Sequence, residues 1–193
     1  MKWLTGRGVA AALGVGLATG YGLGWRGLLL LLGFFVSSSL LSNKTSRNHR
    51  QVIANGGIAA LSALLGSWLA FAGALAAATA DTWATEIGRF SPTPPRLITT
   101  GARVPAGTDG GMTLLGTVGG IAGAGLIAGL AVGLGPGGSG LGLAMRVAVA
   151  GIIGMVLDSL LGATVQGKVR WVDNDAVNLA ATLTGAVCAG LIA

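Results

Sequence analysis

Apolar residues run along this chain in long blocks rather than alternating or recurring on one helical face. The blocks cover roughly 8–24, 27–42, 52–66, 68–86, 113–133, 142–162 and 176–193. A helix needs about 17–25 mostly apolar residues to cross the hydrocarbon of a bilayer, and most of these blocks reach that length or come close. The pattern predicts an all-α, polytopic transmembrane helix bundle with about seven (six to seven) spans. Residues 1–193 form a single integral membrane domain on this reading. The stretch 52–86 is too long for one ordinary helix and slightly short for two. We divide it at Gly66-Ser67, with Trp68 as an interfacial anchor.

Composition agrees with the pattern. Hydrophobic residues make up 52 % of the chain and charged residues 9 %, against about 25 % charged in a soluble domain. A water-soluble enzyme is thereby excluded, and so is a disordered chain. The one cysteine, Cys188, rules out an internal disulfide framework. The net charge of +6 points to topology rather than to nucleic acid as a partner. With the N-terminus cytoplasmic, Lys2, Arg7, Lys44, Arg47, Arg50, Arg89, Arg96, Arg103, Lys168 and Arg170 fall inside, and Arg26 and Arg146 near the other face. That distribution follows the positive-inside rule. No Arg- and Ser-rich transit segment precedes the first block. The plainest location is therefore the plasma (inner) membrane of a bacterium or archaeon. Glycines spaced by four (Gly16, Gly20, Gly24 and Gly125, Gly129, Gly133) are expected to let helices pack closely. The stretch Gly135–Gly140 reads as a flexible outer turn.

The six acidic residues carry the most information. Asp81, Glu86, Asp109, Asp158, Asp173 and Asp175 all fall in the cytoplasmic half of this topology. Asp81 and Asp158 lie within apolar blocks, where a carboxylate costs at least ~2.5 kcal/mol and usually faces a site, a pathway or a partner. On a helix, Asp81 and Thr85 share one face, and Thr82 and Glu86 share another. A second polar run begins Asp158-Ser159, and a third reads Asp173-Asn174-Asp175 with Asn178 beyond it. Carboxylates, hydroxyls and amides are hard oxygen donors suited to Mg²⁺. A Cys/His zinc cluster is not available.

Two inner loops add polar chemistry. One runs from Arg89 through Arg96 to Thr108-Asp109-Gly110-Gly111. Its arginines suit phosphate, and its glycine-rich backbone before a helix can turn N–H groups toward an anion. An ordinary positive cytoplasmic loop would have the same composition. The other loop offers Arg47, then Gln51 and Asn55 one helical turn apart. Asn55 serves either a neighbouring helix or a ligand.

These motifs together resemble the phytyl-phosphate kinase family, which includes a chloroplast enzyme of the vitamin E pathway and the animal transmembrane protein 19 group. The resemblance rests above all on Ala80-Asp81-Thr82-Trp83-Ala84-Thr85-Glu86 and Asp158-Ser159-Leu160-Leu161-Gly162-Ala163-Thr164, in that order. Pro95-Arg96-Leu97-Ile98-Thr99-Thr100 and Asn174-Asp175-Ala176-Val177-Asn178 support it. Asp109 departs from the family's Gly-Thr-Ser-Gly-Gly turn, where a serine stands. The resemblance implies a kinase that moves the γ-phosphate of a nucleoside triphosphate, with CTP the expected donor, onto a prenyl monophosphate lipid (phytyl, geranylgeranyl or farnesyl phosphate). Asp81, Glu86 and Asp158 would be catalytic and would hold one or two Mg²⁺ ions, with Asp175 adding to the metal site. Arg47, Gln51, Asn55, Thr82, Thr85, Arg89, Arg96, Thr108, Gly110, Gly111, Ser159, Asn174 and Asn178 would bind substrate and nucleotide. Competing expectations are a CTP-dependent cytidylyltransferase acting on a lipid phosphate and an ion-coupled transporter using intramembrane carboxylates. A homo-oligomer is compatible with either.

Overall fold

A computed structural model describes residues 3–42, 46–136 and 140–191. Lys2, Lys44 and the middle of the expected turn, Gly137 to Ser139, lie outside the described residues. Six helices follow one another: α1 (Gly6–Leu41), α2 (His49–Leu64), α3 (Trp68–Gly88), α4 (Leu114–Leu134), α5 (Leu141–Thr164) and α6 (Asn174–Leu191). Among the described residues the strands are a small antiparallel pair, β1 (Arg96–Leu97) and β2 (Gly111–Met112), between α3 and α4. The apolar blocks did not signal these strands, which are two residues each.

Helix α1 is not straight. Gly24 takes φ 63° and ψ −156°, a conformation that only glycine adopts at low cost. The chain folds back there. Positions 20 and 28 touch across the bend, as do 19 and 27, and the Trp3 and Phe35 rings meet edge-on at 5.7 Å. The two arms, 6–23 and 25–41, therefore stand side by side. Helix boundaries fall within a few residues of the expected blocks, including the break at Gly66-Ser67. By length and apolar composition, three helices qualify as membrane spans: α1, α4 and α5. The expected seven crossings are not reached on that measure. Helix α2 has only 16 residues, and α3 carries Asp81, Glu86 and three threonines in its 21.

Helix α3 is the axis of the bundle, and every other helix packs on it. Residues 71 to 80 are buried without exception, and seven of them are alanine or glycine. Small side chains let neighbouring backbones come close where no water drives helices together. A Cβ at Gly73 would collide with the Gly185 carbonyl of α6, and one at Gly154 would lie 2.5 Å from Ala77 Cβ. On α4 the packing glycines are Gly116, Gly119, Gly120 and Gly123, set against α3. This corrects the expectation for Gly125, Gly129 and Gly133, which face outward with open space beyond them. Gly16 likewise has nothing within 4 Å. Spacing alone does not select a face, and on α4 the second stripe was the wrong one.

Trp68 is also corrected. It is buried, and its indole N–H donates to the Ala131 carbonyl at 3.2 Å, joining the start of α3 to the end of α4. Trp25 and Trp171 are the exposed tryptophans suited to an interface. Capping fixes the helix starts. Thr5, Asn48, Ser67 and Thr113 each accept a backbone N–H of the first turn, and Asn48 forms a reciprocal box with Gln51.

Candidate active site

Helix direction decides where the polar residues meet. Arms and helices alternate up and down, so the last turns of α3 and α5 and the first turns of α2 and α6 share one end of the bundle. A cavity of about 900 Å³ opens there. Ligand sites usually span about 300–1,000 Å³, so this one lies toward the upper end of that range.

Asp81 and Asp158 face each other across the cavity from α3 and α5, within hydrogen-bonding reach. Each stands six or seven residues before the end of its helix, about 10 Å below the rim at 1.5 Å per residue. Asp158 Oδ2 is buried and has no hydrogen-bond partner among the described residues. Two carboxylates so placed repel unless a proton or a cation lies between them. Their donor set fits Mg²⁺, which takes one or two carboxylates and completes its shell with water and phosphate oxygens. Among the described residues no group of three or more acidic, histidine or cysteine side chains is arranged around one metal position.

Glu86 does not join that pair. It lies five residues further along α3 and is 4 % exposed. Its Oε2 accepts from Arg89 Nη1 at 2.7 Å, and its Oε1 from the Ser42 hydroxyl at 3.1 Å. Arg47 lies close enough to feel its charge. Burial pushes the Arg47 guanidinium below its usual value, and the Glu86 carboxylate opposes that shift. Asp175 also stands apart from the pair. It flanks Arg50 at 3.3 Å, and Asp173 pairs with the same guanidinium. The Ala176 N–H and Arg50 hold the Asp173 carboxyl below the usual carboxylate range.

The connection from α3 to α4 forms a rim. Beside the strand pair, Ile98 N–H donates to Gly110 O at 3.0 Å, and Leu97 N–H donates to Ala102 O at 2.9 Å within the connection. Gly110 has φ 74° and touches α5, where a Cβ would lie 2.6 Å from the Ser159 carbonyl. Both its dihedral and its close approach require glycine. The turn Thr108–Gly111 is thus pressed onto α5 beside Asp158, with Asp109 near enough to act on that carboxylate. The Thr108 hydroxyl is used within the turn, donating to the Pro105 carbonyl at 2.8 Å.

Of the residues expected from sequence, Asp81, Glu86, Asp158, Arg47, Gln51, Asn55, Thr82, Thr85, Arg89, Thr108, Gly110, Gly111, Ser159, Asn174 and Asn178 line this one cavity. Arg96 does not. It faces an adjoining cleft of about 220 Å³ with Arg103 and donates to the Gly101 carbonyl at 2.9 Å. Gln51 and Asn55 are partly occupied by local bonds to Asn48 and to the Gln51 carbonyl. Sequence reasoning missed Ser42, Asn48, Gln166 and Thr117 on the cavity wall. Ser42 follows the Ser37-Ser38-Ser39 run, a polar end to an apolar block that could have marked it.

Comparison with known proteins agrees with an integral membrane protein. Residues 1–186 match the model of the family described as integral membrane protein DUF92, and the chain belongs to that family. An uncharacterized membrane protein of Methanocaldococcus jannaschii is 36 % identical over 99 % of this chain and 86 % of its own length. Protein PGR of Arabidopsis thaliana is 32 % identical over 74 % of this chain. Protein VTE6, chloroplastic, of the same plant is 28 % identical over 98 % of this chain. The matched part spans 65 % of each plant protein. No solved structure matches.

Proposed function

We propose that this DUF92 member is a prenyl-phosphate kinase of the plasma membrane, working at the cytoplasmic interface with CTP as donor. The observation that carries the reading is the single cavity in which a buried carboxylate pair and two arginines meet at one end of an apolar bundle. Similarity to the plant proteins supports it.

The chemistry follows from the placement. A prenyl monophosphate keeps its chain in the bilayer and its phosphate at the surface. The nucleotide comes from water. Both can reach only an interfacial site. The basic residues concentrate at the cavity end, which by the positive-inside rule is the cytoplasmic one. Phosphoryl transfer needs mostly alignment and charge neutralisation. Asp81 and Asp158 would hold Mg²⁺, which when bound neutralises the β- and γ-phosphate oxygens of the donor. Arg47 and Arg89 add positive charge to the cavity in which the two phosphates would meet. An anionic oxygen of the prenyl phosphate attacks the γ-phosphorus. The bond from that phosphorus to the β-bridging oxygen breaks, and the nucleoside diphosphate leaves with the electron pair. The acceptor oxygen is already ionised, so no general base is needed.

The test is incubation of the purified protein with geranylgeranyl monophosphate, CTP and Mg²⁺, followed by product analysis, with Asp81→Asn alongside. Prenyl diphosphate and CDP, both lost in the variant, are the expected products. CMP-linked lipid with pyrophosphate would make the protein a cytidylyltransferase. No turnover with any nucleotide would refute the kinase.

A further inference from the structure

The cavity holds two charge groups that do not mix. One is the carboxylate pair Asp81 and Asp158, deep in the bundle. The other lies nearer the rim: Glu86 with Arg89, Arg47 and Ser42. Glu86 is buried and both its oxygens are engaged, which leaves little of it to offer a metal. Its charge is spent on arginines. Arg89 is fixed by a bond of 2.7 Å yet remains 44 % exposed toward the opening. Arg47 is anchored through its backbone: its N–H donates to the Trp3 carbonyl at 2.9 Å, and its carbonyl accepts from Thr5 N–H at 3.0 Å. Its guanidinium faces the cavity and has no hydrogen bond or ion pair among the described residues. Glu86 pairs with Arg89 and leaves the Arg47 guanidinium without a bonded anion, so this corner of the cavity has a cation open to one.

We infer that Arg47, anchored through its backbone, and Arg89, held by Glu86, form a metal-independent subsite for the acceptor monophosphate, separate from the carboxylate pair that takes the metal-bound triphosphate. This rests on the kinase reading above. A triphosphate arrives carrying its cation, so it suits carboxylates. A monophosphate without metal suits guanidinium groups, which pair with its oxygens in a planar fork. Glu86 is then a positioning residue that acts through Arg89, and not a ligand of the metal.

Two measurements decide it. First, binding of inorganic phosphate and of geranylgeranyl monophosphate is followed in EDTA by thermal shift and titration calorimetry. Wild type and Asp81→Asn should bind alike. Arg47→Ala and the more exposed Arg89→Ala should bind roughly 10- to 100-fold more weakly. Second, steady-state kinetics should show the KM for the prenyl phosphate rising by a similar factor in Arg47→Ala, Arg89→Ala and, less steeply, Glu86→Gln. The KM for CTP should stay within about twofold in all three. A purely structural role for Glu86 would instead lower thermal stability and leave the acceptor KM alone. Unchanged phosphate binding in Arg47→Ala and Arg89→Ala, or a rise confined to the CTP KM, would overturn the subsite. EDTA-insensitive phosphate binding that needs both arginines, in a protein without kinase turnover, would keep the subsite and refute the kinase.

Discussion

The two halves of α3 differ in almost everything except their helix. From 71 to 80 each residue is buried and most are small, and the helix serves as a surface for five neighbours. From 81 to 88 the same helix carries two carboxylates and two threonines and forms a cavity wall. Packing governs the first half and solvation the second. The small residues draw the surrounding helices in tightly at one end. At the other end one face of α3 still packs on α4, and polar side chains on another face line the cavity. Asp81 stands at the start of the cavity wall, while the α4 side of this half stays closely packed through Ala84, Ile87 and Gly88.

The comparison breaks most severely if charge is moved across it. Ala77→Asp places a carboxylate among 0 %-exposed neighbours on α3, at a cost of several kcal/mol. We expect no folded protein after detergent extraction, judged by size-exclusion chromatography. Asp158→Asn leaves the packing half intact. It should fold normally and lose turnover by about 10²-fold or more; normal kinetics would remove Asp158 from the chemistry. Gly73→Ala tests the packing half alone, because its new Cβ would meet the Gly185 carbonyl. A loss of ~1–3 kcal/mol is expected in thermal unfolding. Gly129→Ala on the outward stripe of α4 should be neutral or gain up to ~1 kcal/mol, since it adds helix propensity and meets nothing.

The smallest effect is at the cavity rim. The Ala176 N–H and Arg50 hold the Asp173 carboxyl below its usual range. Its contribution to stability is therefore complete above the unfolded value of about 3.9. It is lost as pH falls through the lower, folded value. Asp173→Asn should flatten that acid limb of the stability curve and leave the neutral region nearly unchanged. A steeper acid limb in the variant would contradict the pairing.

Much of this was legible along the chain. Long apolar blocks declare membrane helices, because hydrocarbon accepts no unpaired backbone. Polar residues inside such blocks declare a site, because they are too costly to keep without a use. The motifs around Asp81 and Asp158 therefore marked the cavity and placed it at the basic end. The fold-back at Gly24 was also visible, as a gap between blocks flanked by Trp25 and Arg26. The strands β1 and β2 were not, since two-residue strands have no period.

What tertiary structure decided is which polar residues share a position. Chain order puts Glu86 five residues from Asp81 and Asp175 two from Asp173, and nothing in the spacing says which carboxylate meets which. The helix turns Glu86 away from Asp81 by about 140° at roughly 100° per residue, toward Ser42, Arg47 and Arg89. Arg50 draws Asp173 and Asp175 to the outside of the rim. The same holds for glycine: the inward and outward stripes of α4 look alike in sequence, and only the presence of α3 along one side makes four of them indispensable. Sequence determines what each residue can tolerate. Which neighbours it receives depends on helices far apart in the chain, and those meet only when the bundle closes.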